Sequence, residues 1–136
     1  MTRARALAVV LACGPSLASA TCPTLPAFAE RGGLPTLNGQ APRCARSQVL
    51  GGGLSEDCFW SFELRSETAR SHFAVLLAEL KDCSAEPPTI AASSVNHPDS
   101  FDQVTGVIAG TAVSLSLKDK GALGQTLIFV RRALPQ

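Results

Sequence analysis

The segment Asn96-His97-Pro98-Asp99-Ser100 holds the residue types best suited to proton transfer. A histidine exchanges its proton near neutral pH, and Asp99 is close enough in sequence to orient His97. These are also ordinary turn residues, and no Gly-x-Ser-x-Gly elbow is present to activate a serine. We therefore expect this loop to bind a ligand through Asn96, His97 and Asp99, with a small hydrolase using His97 and Asp99 as the alternative.

A second candidate binding site is a charged turn formed by Lys118, Asp119 and Lys120. Such a turn is typical of a hairpin end, and its two lysines, Lys118 and Lys120, could contact a partner. Arg131 and Arg132 end the last predicted strand, where we expect them to protect a sheet edge. Four carboxylates are expected to serve solvation and the helix dipole: Glu56, Asp57, Glu63 and Glu67.

The spacing of histidines and cysteines argues against a zinc site. His72 and His97 are the two histidines of the chain, and no Cys-x-x-Cys or His-x-x-x-His pair occurs. Glycines 51–53 lack the Gly-Lys-Ser/Thr that a phosphate-binding loop requires. We expect neither a metal nor a cofactor.

The first twenty residues have the features of a secretory signal peptide. Arg3 and Arg5 supply a positive start, residues 6–13 are apolar, and Ala18-Ser19-Ala20 is a small-residue cleavage site. The apolar run is far shorter than the roughly 20 residues of a membrane span. We therefore expect a periplasmic or secreted protein without a transmembrane span.

A lipid anchor is the alternative at this end of the chain. Val10-Leu11-Ala12-Cys13 resembles the lipobox of bacterial lipoproteins, in which the cysteine is lipidated and becomes the first residue. Leu11 is unusual at that position of the motif, and a complete cleavage site follows. We therefore prefer cleavage after Ala20 and keep an envelope-anchored protein as the alternative.

Cleavage after Ala20 changes both the charge and the cysteine count. Loss of Arg3 and Arg5 leaves ten basic residues against eleven acidic ones. This balance provides no basic surface for nucleic acid or anionic lipid. Loss of Cys13 leaves an even number of cysteines, which in an exported chain indicates a disulfide framework: Cys22, Cys44, Cys58 and Cys83.

Residues 58–83 predict a strand followed by a helix, with a cysteine at each end. Trp60 and Phe62 alternate with polar residues, the pattern of a half-buried strand over 58–65. Ser66 is placed to cap a helix over 67–82. Its expected apolar face consists of Ala69, Phe73, Leu76, Leu77 and Leu80.

The lengths of these two elements predict the disulfide pairing. About seven strand residues and about sixteen helical residues each span roughly 23–24 Å. A strand running out and a helix running back would bring Cys58 to Cys83. We therefore expect the disulfides Cys58–Cys83 and Cys22–Cys44.

Prolines and glycines dominate residues 21–57, which we expect to form a loop-rich arm with a short edge strand at 47–50. In the second part of the chain, strand patterns at 103–108, 111–118 and 125–132 predict a three-stranded meander. The unbroken apolar run 127–130 indicates a covered or central strand.

The predicted fold class is α+β, with one helix packed on a mainly antiparallel four-stranded sheet (β-α-β-β-β) in residues 58–136. For its function we expect a binding, interaction or inhibitor module. The partner would be another envelope or extracellular protein, contacted through the 84–101 loop, the 118–124 turn or a free sheet edge.

Overall fold

The computed structural model describes residues 22–91 and 103–136, which form two helices on one face of a six-stranded antiparallel sheet. The elements in chain order are α1 (Leu25–Arg31), β1 (Arg43–Gln48), β2 (Leu54–Glu63), α2 (Glu67–Cys83), β3 (Thr89–Ala91), β4 (Gln103–Ile108), β5 (Thr111–Lys120) and β6 (Gln125–Leu134). The strand order is β1-β2-β6-β5-β4-β3. The α+β class is confirmed, whereas the prediction of one helix and four strands is wrong because it omits α1, β1 and β3.

The predicted strand and helix over 58–83 are confirmed, with β2 beginning four residues earlier at Leu54. Ser66 caps α2, since its Oγ accepts a hydrogen bond from the Ala69 N–H at 3.3 Å. The helix buries one face against the sheet through Ala69, Phe73, Leu76 and Leu80. Opposite them lie the alternating buried side chains of the central strands: Trp60 and Phe62 on β2, Ile128 and Val130 on β6, and Val113 and Leu115 on β5.

The disulfide pairing differs from the prediction. Cys22 is bonded to Cys83 with a Cα–Cα distance of 6.1 Å, and Cys44 is bonded to Cys58. The predicted pairs Cys58–Cys83 and Cys22–Cys44 are wrong because Cys58 lies in the middle of β2 rather than at its start. At that position Cys44 lies directly across the β1–β2 ladder from Cys58.

Helix α1 is held at its amino end by α2. Oε1 of the buried Glu79 accepts hydrogen bonds from the backbone N–H groups of Thr24 and Leu25, at 2.7 and 2.6 Å. These groups have no partner within a helix, and a negative charge at this end also suits the helix dipole. Glu79 and Cys83 are one turn apart on α2, so one helix face supplies both the cap and the disulfide.

The segment predicted as a loop-rich arm contains α1 and β1, and α1 contributes to the core. Leu25, Phe28 and Ala29 of α1 are buried in the same cluster as Trp60 and Val130. The predicted edge strand at 47–50 lies earlier, since β1 spans Arg43–Gln48 and pairs with β2 along its whole length.

The meander β4-β5-β6 is confirmed, and its last strand occupies the centre of the sheet between β2 and β5. The position agrees with the apolar run 127–130. Arg131 and Arg132 therefore do not protect an edge. Each lies opposite a carboxylate of β2, Arg131 opposite Asp57 and Arg132 opposite Glu56.

Candidate functional site

The sheet face opposite the two helices, termed the open face, carries the most concentrated set of functional side chains in the described residues. Because neighbours along a strand alternate between faces, residues next to the buried ones on β2 and β6 point to this side. The register places them in cross-strand rows: Asp57 with Arg131, Phe59 with Phe129, and Ser61 with Leu127. β5 adds Ser114, Ser116 and Lys118 to the same rows.

Asp57 is the centre of a hydrogen-bonded group on this face. Its Oδ1 accepts a hydrogen bond from Arg131 Nε. Its Oδ2 accepts hydrogen bonds from the hydroxyls of Ser47 and Ser55, the latter at 3.2 Å. The hydroxyl oxygens of Ser47 and Ser55 lie 3.2 Å apart and also form a hydrogen bond. One polar cluster therefore joins strands β1, β2 and β6.

The pKa of the Asp57 carboxyl lies below its ordinary value. Partial burial raises this pKa, but the hydrogen bonds from Arg131, Ser47 and Ser55 and the charge of Arg131 together lower it by more. The carboxylate is therefore ionised throughout the neutral range. A carboxylate with a depressed pKa is a weak base, so this cluster is suited to holding Arg131 in place and poorly suited to activating a serine.

An aromatic pair lies beside the Asp57 cluster. The rings of Phe59 and Phe129 have centroids 5.6 Å apart at an interplanar angle of 40°, a favourable tilted arrangement. The ammonium group of Lys118 lies 5.6 Å from the centroid of the Phe129 ring, within the range of a cation–π interaction. The phenyl ring thereby fixes the position of a positive charge.

Two grooves flank the aromatic pair. The smaller, about 210 Å³, lies between Lys118 and Arg131, and its lining also includes Asp57, Gln103, Ser114 and Ser116. The larger, about 570 Å³, is lined by Arg43, Ser61, Leu127 and others on the side of β1. Both grooves are open to solvent and combine an apolar surface with positive charge and hydroxyl groups.

The ionisable groups give the open face an excess of positive charge. From strand alternation and register, its cations are Arg43, Lys118, Lys120 and Arg131, and its carboxylates are Asp57 and Glu63. The two helices are close to charge balance, since Glu30, Glu67, Glu79 and Asp82 are accompanied by Arg31, Arg70 and Lys81. The excess of cations over carboxylates is therefore a property of the open face.

The binding residues predicted from sequence fall into two groups, one outside the described residues and one on β5. Asn96, His97 and Asp99 lie outside the described residues, so their roles stay predictions. Lys118 is half-buried on the open face, and Lys120 is exposed at the end of the same strand. His72 is half-buried on α2 with its ring 5.9 Å from Phe62, which places it on the opposite side of the sheet.

The four cysteines of the described residues offer no free thiolate to a metal. Among residues 22–91 and 103–136, the one group of neighbouring metal-ligand types is Cys44, Glu56 and Cys58. Both of its sulfurs are bonded to each other, and its carboxylate pairs with Arg132 at 2.6 Å. A thiolate is what binds a metal, so the disulfide removes the ligands. Within the same ranges, every helix is too short or too polar to cross a membrane.

Sequence reasoning missed the aromatic pair and the Asp57 cluster. Phe59 lies on the other side of β2 from Trp60 and Phe62. A large aromatic residue at a solvent-facing strand position could have indicated the aromatic pair. The cluster had no such signal, because Ser47, Asp57 and Arg131 meet only through the pairing of β2 with β1 and β6.

No protein-family model, curated protein or solved structure matches the chain.

Proposed function

We propose that this protein is an exported, disulfide-stabilised binding module that docks an acidic surface of a partner protein on its open face. The observation that carries the proposal is the arrangement of Lys118 and Arg131 around one shallow groove. Lys118 is positioned by Phe129, and Arg131 by Asp57. Charges that are held in place before binding lose less entropy when a partner docks.

The groove between these cations has the chemistry of a carboxylate site. The Arg131 side chain is 45% exposed, so its guanidinium can reach a ligand while its Nε donates to Asp57. The hydroxyls of Ser114 and Ser116 line the same groove. A glutamate or aspartate side chain of a partner would find a cation on each side and hydroxyl donors between them, while Asp57 in the same lining is paired with Arg131.

Export is supported by the four bonded cysteines, because disulfides persist in oxidising compartments. The small hydrolase using His97 and Asp99 stays an alternative prediction, and so does lipid anchoring through Cys13. An intact mass of the exported protein distinguishes a chain that begins at Thr21 from one that begins at a lipidated Cys13.

The open-face proposal is tested by titrating the mature protein with an oligoglutamate peptide and mapping NMR shift changes. We expect the changes to centre on Ser116, Lys118 and Phe129. Replacing both Lys118 and Arg131 by glutamine should weaken binding about tenfold at low salt, since both cations of the groove are lost.

The matched control replaces Arg70 and Lys81 by glutamine. These residues are exposed on α2, so the variant removes the same charge from the opposite side of the protein. Equal weakening by the two double variants would mean that net charge alone drives binding, and the open-face proposal would be wrong. The same pair of variants, used as baits for exported proteins, tests whether a natural partner depends on the open face.

A further inference from the structure

Strand β1 is the outermost strand of the sheet, and its outer edge pairs with no other described strand. Its register with β2 runs without interruption from Arg43 opposite Phe59 to Gln48 opposite Leu54. Every residue except the half-buried Ser47 is exposed. At the other edge, β3 has only three residues, so β1 is the longer edge available for pairing.

The geometry identifies the backbone groups that face outward. In an antiparallel ladder, opposed residues alternate between hydrogen-bonded pairs and closer pairs without hydrogen bonds. The Cα atoms of Cys44 and Cys58 are 4.1 Å apart, the short spacing of a non-hydrogen-bonded pair. The Val49 N–H donates to the Gly53 carbonyl at 3.0 Å. Val49 and Gly53 therefore form a hydrogen-bonded pair, which is the other kind of pair in this alternation.

It follows that Cys44, Arg46 and Gln48 direct their N–H and C=O groups away from β2. The intervening residues Arg43, Ala45 and Ser47 direct theirs toward β2. An extended chain could therefore add to β1 through the three outward-facing residues without disturbing the existing ladder.

Several protections common at sheet edges are missing from β1. The strand contains neither a proline nor a bulge, and it is not short. The disulfide from Cys44 ties it to the buried Cys58, which keeps the edge extended. A preformed edge reduces the ordering cost of adding a strand.

The positive charges on β1 favour an added chain that is acidic. Arg43 and Arg46 are its ionisable side chains, and by alternation they lie on opposite faces of the sheet. Pairing two copies of β1 would gather the arginines of both and is disfavoured by repulsion. A chain with carboxylates on both of its faces would be attracted to them.

We propose that β1 is a docking edge for an extended acidic segment of a partner protein, which adds to the sheet as a seventh strand. This inference does not depend on the open-face proposal, since it uses main-chain groups on a different part of the sheet.

The probe is a short peptide of repeated Glu-Glu-Val-Val units, which places carboxylates on both faces of an extended chain. Amide hydrogen exchange of the mature protein is measured with and without it. The outward-facing amides of Cys44, Arg46 and Gln48 should exchange about tenfold more slowly when the peptide is saturating. Those of Arg43, Ala45 and Ser47 should change little, because β2 already protects them.

Two variants separate charge from main-chain pairing. Replacing Arg43 and Arg46 by glutamine should weaken peptide binding about tenfold at low salt. Gln48→Pro removes one outward N–H without changing charge and should weaken binding about fivefold. Because that N–H makes no bond to β2, thermal unfolding should show that the Gln48→Pro variant is folded.

A peptide N-methylated at every residue has no backbone N–H on either edge, so it cannot pair along β1 and should not bind. Equal binding of the methylated and unmethylated peptides would overturn the proposal. So would protection confined to Lys118 and Phe129, a result that would leave the open-face proposal intact. A dimer in sedimentation that Gln48→Pro abolishes would also overturn it, because a second copy would then occupy the edge.

Discussion

The covered face and the open face of the sheet each contain one carboxylate–arginine pair from the same two strands. Glu56 and Arg132 lie opposite each other on the helical side, and Asp57 and Arg131, one position along, lie on the other side. The Arg132 side chain is 12% exposed and that of Arg131 is 45% exposed.

The two pairs differ in what the arginine does beyond the ion pair. Arg132 Nη1 donates to the Ala29 carbonyl at 3.4 Å, and its guanidinium lies 5.8 Å from the Phe28 ring centroid. It therefore joins the carboxyl end of α1 to the sheet, as Glu79 joins the amino end to α2. Arg131 keeps much of its surface exposed. The covered pair links α1 to the sheet, whereas the open pair leaves a positive charge at the surface.

The largest contrast between the faces is expected for two adjacent aromatic residues. Trp60 is buried beneath the helices, and its Nε1 donates to the Pro35 carbonyl at 3.1 Å, whereas Phe59 is half-buried on the open face. Trp60→Ala should lower the free energy of unfolding by about 3–5 kcal/mol. Phe59→Ala should lower it by about 1 kcal/mol. Denaturant unfolding of both variants measures the contrast, and equal losses would contradict the division of roles.

The two disulfides offer a second contrast, between the helical layer and the β1 edge. Removing Cys22–Cys83 by alanine substitution should destabilise the protein by about 4 kcal/mol, because the bond closes a long loop with a sequence separation of 61. Removing Cys44–Cys58, with a separation of 14, should cost about 3 kcal/mol. Denaturant unfolding gives the values. Peptide mapping of the oxidised protein must first recover these two pairs, and Cys22–Cys44 would refute the arrangement.

The arginines provide the direct comparison of the two ion pairs. Arg132→Gln should destabilise the protein by about 2 kcal/mol, since it leaves Glu56 partly buried without its partner. Arg131→Gln should cost about 0.5–1 kcal/mol, the usual range for an exposed pair. The measurement is again denaturant unfolding, with Arg70→Gln on α2 as a control. A larger loss at Arg131 would reverse the assignment of roles.

The smallest expected effect is a pH dependence from Asp57. Its pKa is lower in the folded protein than in the unfolded chain, so its contribution to stability is complete above about pH 4. The contribution disappears as the pH falls through the folded pKa. The stability difference between wild type and Asp57→Asn should therefore shrink below pH 4. Asp82→Asn, an exposed carboxylate on α2, is the control, and a difference that grew on acidification would contradict the depressed pKa.

Much of the second half of the fold could be predicted from local patterns. Alternation in β2 and β5, the apolar face of α2 and the Ser66 cap are properties of consecutive residues, so the sequence displays them. The connection between β4 and β5 could also be anticipated, because Ala109-Gly110 is short enough for a tight turn. In the structure both residues have positive φ, as a type I′ hairpin turn requires.

The first half depends on contacts between residues that are far apart in sequence. Helix α1 has seven residues and a proline in its first turn, too few for a recognisable apolar stripe. Its amino end is completed by Glu79, which is separated from Leu25 by 54 positions. Strand β1 is polar and exposed, so its alternation carries no hydrophobic signal. The open face was similarly hidden, because its rows form only when β2 and β6 are paired.

The nested arrangement of the disulfides has a consequence for biogenesis. If the chain enters an oxidising compartment amino end first, Cys22 and Cys44 emerge before either of their native partners. Pairing cysteines in order of emergence would join Cys22 to Cys44 and Cys58 to Cys83, which differs from the native pairing. Such a chain reaches its native state only through thiol–disulfide exchange. A disulfide isomerase would then accelerate the maturation of this protein.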